Sequence, residues 1–536
     1  MSTHRGFVRH GAHGWSDYFT FNTDHKVIGV QYLVSTLLFF LYAGLLALVI
    51  RFELLDPAPT LNANAYNAAF TLHGSVMIFL FVIPVMAGFA NYLIPLMIGA
   101  DDMAFPRLNA LSFWLLMLGG LIIVSGNFLG PANTGWTAYA PLSLQAPDGQ
   151  TLWAIGVIII GTSSTMGAIN FLVTIGTLRA PGLTLLRLPL FCWGMISTSL
   201  MVVLATPVLT TAMALLVLER VAEMTFFAAA RGGDPLSWQN LFWFYSHPAV
   251  YIMILPAMGL ISEILPVFSR KPIFGYRAIA ASSMAIAVLG FLVWAHHMFT
   301  TGMDPSVQAA FMVTSMIIAV PTGVKIFNWI GTMWGGVLDL RTPMLFAIGF
   351  IGMFVIGGLS GITLGSVPVD THVHDSYYVV GHLHYVLFGG SVLAIFGAFY
   401  FWFPKITGKM YDERLGKLHF WLTIVGFTLT FFPMHWLGLQ GMPRRVVAYA
   451  EEFQRTNQLI SLGAFILALG VLPFLYNMVV SWMRGAQASS NPWSALTLEW
   501  QTSSPPPIGN FDTPPIVTHG PYDYGRPLLP REAAAD

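Results

Sequence analysis

Apolar runs about as long as a lipid bilayer is thick recur along the whole chain, and no soluble architecture can absorb so many of them. A helix needs about 20 apolar residues to cross the hydrocarbon core. Runs of that length fall near 27–50, 66–97, 111–130, 151–178, 187–218, 240–268, 277–301, 308–335, 342–363, 377–403, 418–438 and 457–483. Inside lipid each backbone N–H and C=O must find a partner within its own segment, which a helix provides. The expected fold is therefore all-α, a polytopic membrane bundle of twelve transmembrane helices spanning 27–483. Composition agrees: 56% of the 536 residues are hydrophobic and 9% are charged, against about 25% charged in a soluble protein. The segment 1–26 is polar, with no short apolar core, so no cleavable signal is expected and the first helix acts as the insertion signal. The tail 484–536 is rich in Pro, Ser and Thr and has no helical period. It reads as an arm lying on the protein or on a partner, or as disordered.

Lys and Arg collect in cytoplasmic loops. Twelve spans put both termini on one side, and that side carries fifteen basic residues, from Arg5 and Arg9 to Arg484. The other side carries six: Arg51, Arg220, Arg231, Arg444, Arg445 and Arg455. Both termini are expected in the cytoplasm. A net charge of zero argues against nucleic acid as a partner. The single cysteine, Cys192, lies in an apolar run, which excludes disulfide frameworks, Cys-ligated zinc and iron–sulfur clusters within this chain.

This orientation gives depth to the histidines. His73, His247, His382 and His384 lie near the starts of the second, sixth and tenth spans, and His296 and His297 near the end of the seventh. All four of these span ends face outward. A lone intramembrane histidine is commonly a polar contact between helices. Six at one level, on four helices, are what a buried polynuclear metal site requires. His382 and His384 are about 200° apart on a helix, so one helix can serve two centres. The adjacent pair His296 and His297 reaches one metal only from near a helix end or across a wide ligand arc. With His247 it makes a three-imidazole site suited to copper or zinc. Tyr251 follows His247 by one turn, on the same face and beyond the helix-loosening Pro248, as a candidate donor of a proton and an electron. The remaining three fit heme iron: His73 with His384 can fill both axial positions of one heme, leaving His382 for a second heme that keeps a position open. Lys325 is the lone basic residue inside a span, with Thr322 three residues before it on the same face, which suggests a proton path. The alternative is a lysine snorkelling to the cytoplasmic edge.

These residues, in this order, resemble subunit I of the heme–copper oxidase superfamily, in its cytochrome c oxidase branch. The similarity runs from Thr23-Asp24-His25-Lys26 to Thr497-Leu498-Glu499-Trp500. Its most specific motifs are Trp243-Phe244-Tyr245-Ser246-His247-Pro248-Ala249-Val250-Tyr251, Trp294-Ala295-His296-His297-Met298 and Gly381-His382-Leu383-His384-Tyr385. The resemblance implies a low-spin heme on His73 and His384, a high-spin heme on His382, both expected to be of the a type, and copper-B on His247, His296 and His297. It implies a cross-link between Tyr251 and His247. It further implies a magnesium site at His374 and Asp375 on the subunit II interface, and heme-propionate contacts from Arg444, Arg445 and Trp136. One proton path would run through Thr322, Lys325 and Ser262. A second would start at Asp102 with Asn91 and Asn109 and continue through Ser163 and Ser164. Many relatives place a glutamate two residues after the histidine of the His-Pro motif; here that position is Ala249. Tyr245 and Ser246 are expected to stand in for it, as in a recognised subgroup.

The implied activity is that of a terminal respiratory oxidase. It would take electrons from cytochrome c through a copper-A centre on subunit II, reduce dioxygen to water and pump protons. Copper-A needs two cysteines, so another subunit must carry it. Subunit III, a small electron carrier and membrane lipid are the other expected partners. The expected location is a bacterial plasma membrane or an equivalent energy-transducing membrane. A quinol-oxidising branch carries His and Gln eight and five residues before the first heme histidine, where this chain has Ala65 and Ala68. A nitric oxide reductase would lack Tyr251 and Lys325. A transporter without redox chemistry would be colourless.

Overall fold

The computed structural model describes residues 14–524. Arg5 and Arg9, and the outer parts of both terminal segments, lie outside the described residues. The helices are α1 (His25–Glu53), α2 (Ala63–Ile98), α3 (Pro106–Phe128), α4 (Gly149–Thr177), α5 (Leu190–Val221), α6 (Pro235–Ser269), α7 (Tyr276–Leu292), α8 (Pro305–Met333), α9 (Thr342–Leu364), α10 (Tyr377–Thr407), α11 (Glu413–Leu439) and α12 (Glu451–Arg484). Eleven of these are long and apolar enough to cross a membrane, and α7 is shorter. No strand occurs among the described residues. The chain is an all-helical, polytopic membrane bundle.

Local chemistry sets most helix ends. Side chains of Asp24, Asn62, Asp234, Asp304, Ser376 and Asp412 each accept a backbone N–H of the first turn, satisfying donors that have no partner inside the helix. Gly99, at φ +73°, closes α2 in the left-handed conformation that glycine adopts without a Cβ penalty.

Sequential helices pack side by side, α11 with α12, α5 with α6, α3 with α4 and α4 with α5. Three helices form the interior. In α2, α6 and α10 the apolar stretches are 83%, 89% and 83% buried, against 28% for α1 and 17% for α8. These three carry His73, His247, His382 and His384. Both α2 and α10 also relax into a π-helical turn just after a histidine, Met77–Val82 following His73 and Leu387–Val392 following His384. Such turns are uncommon and recur at functional sites.

The seventh span departs from the expected 277–301. Regular α geometry stops at Leu289, passes through a short 3₁₀ turn, and gives way to a second 3₁₀ segment, Trp294–Met298, after Val293 takes a non-helical backbone. Hydropathy stays high across this break, so only the tertiary structure reveals it.

Residues 485–524 run as a strap over the ends of several helices. Trp493 and Trp500 are buried. Lys405 Nζ donates to the carbonyls of Ser490, Thr502 and Ser503. Asn510 bonds His25, Lys26 and the Ala100 carbonyl, and the Tyr522 hydroxyl donates to Glu263 at 2.6 Å.

Candidate metal centre

The broken end of α7 resolves the problem of two adjacent histidines. In the 3₁₀ segment His296 Nε2 and His297 Nε2 converge to 3.1 Å, and His247 Nδ1 from α6 reaches His297 Nε2 at 3.1 Å. One nitrogen from each ring lies within 4.8 Å of the others. Bonds of roughly 2 Å to nitrogens 3.1 Å apart subtend about 100° at an ion, close to the tetrahedral geometry of three-histidine sites. The all-nitrogen donor set suits copper or zinc and disfavours magnesium or calcium. Around it, Ser315 Oγ lies 2.7 Å from His296 Nδ1, and Trp243 stacks on the His297 ring at 3.9 Å. The Tyr251 ring is 4.8 Å from that of His247. His247 Nε2 is buried with no hydrogen-bond partner.

The other three histidines form a second arrangement. The rings of His73 and His384 are parallel within 10°, with centroids 6.2 Å apart. Their Nδ1 atoms lie 2.9 Å from the carbonyls of Ala43 and Val380, leaving each Nε2 for a ligand. Two metal–nitrogen bonds of roughly 2 Å each, plus the ring radii, account for a separation of 6.2 Å. The residues fit an axially coordinated heme iron. His382 is held separately: its Nδ1 lies 3.0 Å from both the Gly357 carbonyl and Ser360 Oγ, again leaving Nε2. Such partners fix ring orientation and tautomer for ligation.

Loop residues gather beyond the helix ends. Arg444 Nε donates to Asp375 at 2.8 Å. His374 lies between two carboxylates, with Nδ1 3.4 Å from Asp370 and Nε2 3.6 Å from Asp375. Burial works to raise the Asp375 carboxyl, but Arg444, with His374, holds it below its ordinary value. Burial works to lower His374, and the two aspartates overcome it, so its imidazole stays above its usual range. Among the described residues the three metal-ligand side chains that converge are His247, His296 and His297, not His374 and Asp375. Arg445 lies over the Phe70 ring at 5.8 Å, and burial beside Arg444 pushes its guanidinium down to about 10. Trp136 packs edge-on against Trp243.

Lys325 does not snorkel. It is 2% exposed, and Nζ donates to Ser283 Oγ at 2.6 Å and the Ile279 carbonyl at 3.2 Å, both on α7. The Thr322 hydroxyl donates to Ile318 within its own helix. Ser262 accepts from Trp329 at 2.9 Å. Asp102 lies in the loop between α2 and α3, where burial pushes its carboxyl up to about 7. Asn91, Ser163 and Ser164 line one cavity of about 50 Å³ together with Tyr32 and Ser112; Asp102 and Asn109 lie outside that lining. The hydroxyls of Tyr32, Ser112 and Ser163 form a chain at 2.9 and 3.2 Å. Asn91 Oδ1, Asn109 Nδ2 and Ser246 Oγ are buried without partners, and Tyr245 is buried. Sequence reasoning overlooked Tyr32, Ser112, Ser283, Ser315, Ser360 and Asp370. Of these only Asp370 carried a local signal, one helical turn before His374.

A membrane bundle with three histidines around a metal-sized gap and two parallel imidazoles beside it defines a redox enzyme of the heme-and-metal class. A family model described as "Cytochrome C and Quinol oxidase polypeptide I" matches residues 27–466, and the chain belongs to this family of heme–copper oxidase catalytic subunits. Cytochrome c oxidase subunit 1 of Synechocystis sp. is 55% identical over 520 residues, covering 97% of this chain and 94% of the relative. The protein of the same description from Thermostichus vulcanus is 54% identical over 514 residues, covering 95% and 93%. A solved heme–copper terminal oxidase dimer shares the fold, with a TM-score of 0.72 at 19% identity over 87% of this chain and 85% of that one. The chain is thus the catalytic subunit of a terminal oxidase and an integral membrane oxidoreductase. Family membership implies hemes, a copper ion and further oxidase subunits.

Proposed function

We propose that this chain oxidises cytochrome c through a copper-A-bearing subunit II, reduces dioxygen to water and pumps protons, in the subgroup where Tyr245 and Ser246 replace the path glutamate. The observation that carries the reading is the convergence of His247, His296 and His297 with Tyr251 4.8 Å from the His247 ring. When bound, two hemes of the a type and copper-B supply electron transfer and dioxygen reduction. His73 and His384 would hold the low-spin heme and His382 the high-spin heme. His247 would ligate copper through Nδ1, which lies beside His297 Nε2, leaving its unpartnered Nε2 for a cross-link with Tyr251, whose ring is 4.8 Å away. Tyr251 then holds a proton and an electron beside the metal.

Arg444, Arg445 and Trp136 would hold the heme propionates, with Arg444 shared with Asp375. His374 and Asp375 complete a magnesium site with ligands from subunit II. Lys325 carries protons along one path with Ser283, Thr322 and Ser262. Asp102, Asn91, Asn109, Ser163 and Ser164 form the second. Both termini lie in the cytoplasm of a bacterial or equivalent energy-transducing membrane, and α7 with its irregular continuation makes the twelfth crossing of the domain 27–483, flanked by 1–26 and 484–536. Electrons and protons entering from opposite faces store about 2.3 kcal/mol per charge per 100 mV.

The test is the purified complex. It should show two heme bands and more than one copper per two hemes, copper-B in this chain and copper-A on subunit II, and oxidise reduced cytochrome c faster than quinol. A colourless preparation, or one holding iron without copper, overturns the assignment.

A further inference from the structure

The proposed second proton path reaches Ser163 and Ser164 on α4 and must continue to Tyr245 and Ser246 on α6, across the height where Ala249 leaves no carboxyl. The helix between them is α5. A Cβ placed on Gly194 would lie 2.7 Å from the Leu255 carbonyl, and one on Gly259 would lie 2.7 Å from Phe191 Cα. These contacts fix α5 antiparallel to α6. Counting along both helices from them puts Ser199 level with Val250, next to Ala249 and about 6 Å, one turn, from the level of Ser246.

Ser and Thr inside a helix normally donate back to the carbonyl four residues earlier. Ser197 and Thr211 on α5 do so, each at 2.9 Å. Thr198 and Ser199 do not. Both hydroxyls are buried without a partner, and both residues line the same cavity of about 50 Å³ as Asn91, Ser163 and Ser164. Leaving one such hydroxyl unsatisfied costs about 1–3 kcal/mol. At 10–15 Å³ of probe-occupied space per molecule, the cavity has room for roughly three to five waters to pair with them.

We propose that Thr198 and Ser199 are relay residues of the second path: cavity water joins them to Ser163 and Ser164, and Ser199 hands the proton on toward Ser246 and Tyr245, which lie one turn away and outside the cavity lining. Each hydroxyl accepts a proton on an oxygen lone pair from one neighbour and releases its own to the next. It then rotates back, so no net charge is left behind. The hydroxyls thereby occupy the level at which relatives of the other subgroup present a carboxyl. This inference rests on the reading of Asp102 as the start of that path.

The test uses the complete oxidase complex in lipid vesicles, carrying Thr198→Val with Ser199→Ala. The expected result is unchanged heme bands and copper content with proton ejection lost, and turnover slowed by up to about a hundredfold, the lower range for a proton-transfer group. Adding Ala249→Glu should restore ejection by returning a carboxyl to that level. Should the double variant lose its heme, Ser199→Ala alone, which deletes one oxygen, is judged by the same criteria. Parent-like ejection in the hydroxyl variants, or a loss that Ala249→Glu does not rescue, overturns the relay. Asp102→Asn separates the two readings. If it abolishes ejection while the hydroxyl variants eject normally, the relay alone fails; if Asp102→Asn itself ejects normally, the path fails and the relay with it.

Discussion

Several of the candidate ligand imidazoles are oriented by a partner on another helix, whereas His384 takes the Val380 carbonyl one turn back on its own. His296 takes Ser315 from α8, His297 takes the face of Trp243, and His382 takes Gly357 and Ser360 from α9. Removing an orienting partner typically costs 10–100-fold in metal affinity. Ser315→Ala should therefore shorten copper retention about tenfold or more under a chelator, with heme bands unchanged, as read by metal analysis over time. Asp102 yields a second expectation. Burial raises its carboxyl from 3.8 to about 7, so between these values the folded chain keeps a proton that the unfolded chain has released. Stability then falls as pH rises through this window and is lowest above it. Asp102→Asn removes that loss: its thermal denaturation should match the parent near pH 4 and exceed it at pH 8, by less than about 4 kcal/mol once solvent screening is discounted. The grouping of His247 with His296 and His297, and of His73 with His384, was legible because ligands of one site must share a level along their helices. Their partners were not, since nothing within a helical turn of His296 points to Ser315.

At the scale of helices, apolar length announced α1 to α6 and α8 to α12, because a bilayer imposes it. The same signal hid the end of α7, since an apolar 3₁₀ segment reads like an apolar α-helix. The π-helical turns after His73 and His384 were equally invisible, as they add one residue per turn without changing composition. Where α9 meets α10 the approach is close enough to test. A Cβ on Gly361 would lie 2.9 Å from His382 Cε1. Gly361→Ala must therefore push the imidazole aside, at a cost of about 1–3 kcal/mol for overpacking. The absorption bands of the high-spin heme should shift and dioxygen reduction should slow, while the low-spin bands and copper content stay as in the parent. If Gly361→Ala leaves every band in place, His382 is not a heme ligand in the orientation described.

At the scale of the molecule, the strap 485–524 ties together the ends of α1, α2, α6 and α10. Its Pro- and Ser-rich composition gives no periodicity, so local pattern could not position it; its tryptophans and tyrosines were the signal that it packs. Trp493 donates to the Phe401 carbonyl and Lys405 lies over the Trp500 ring at 5.2 Å. Asn510 holds the Ala100 carbonyl at 2.8 Å, two residues before Asp102, and binds His25 and Lys26 at the start of α1. Deleting the chain after Arg484 would strip Lys405 of three carbonyls and Glu263 of the Tyr522 hydroxyl. A buried charge that loses its partners costs roughly 3–5 kcal/mol, so the truncated oxidase should lose its heme bands at a distinctly lower temperature than the parent. Asn510→Ala is the finer probe. It leaves the aromatic anchors in place and unties the loop before Asp102 together with the start of α1, at about 1–3 kcal/mol. Proton uptake through that loop should then slow more than thermal stability falls, whereas a strap that merely covers the bundle would lower stability and leave uptake untouched.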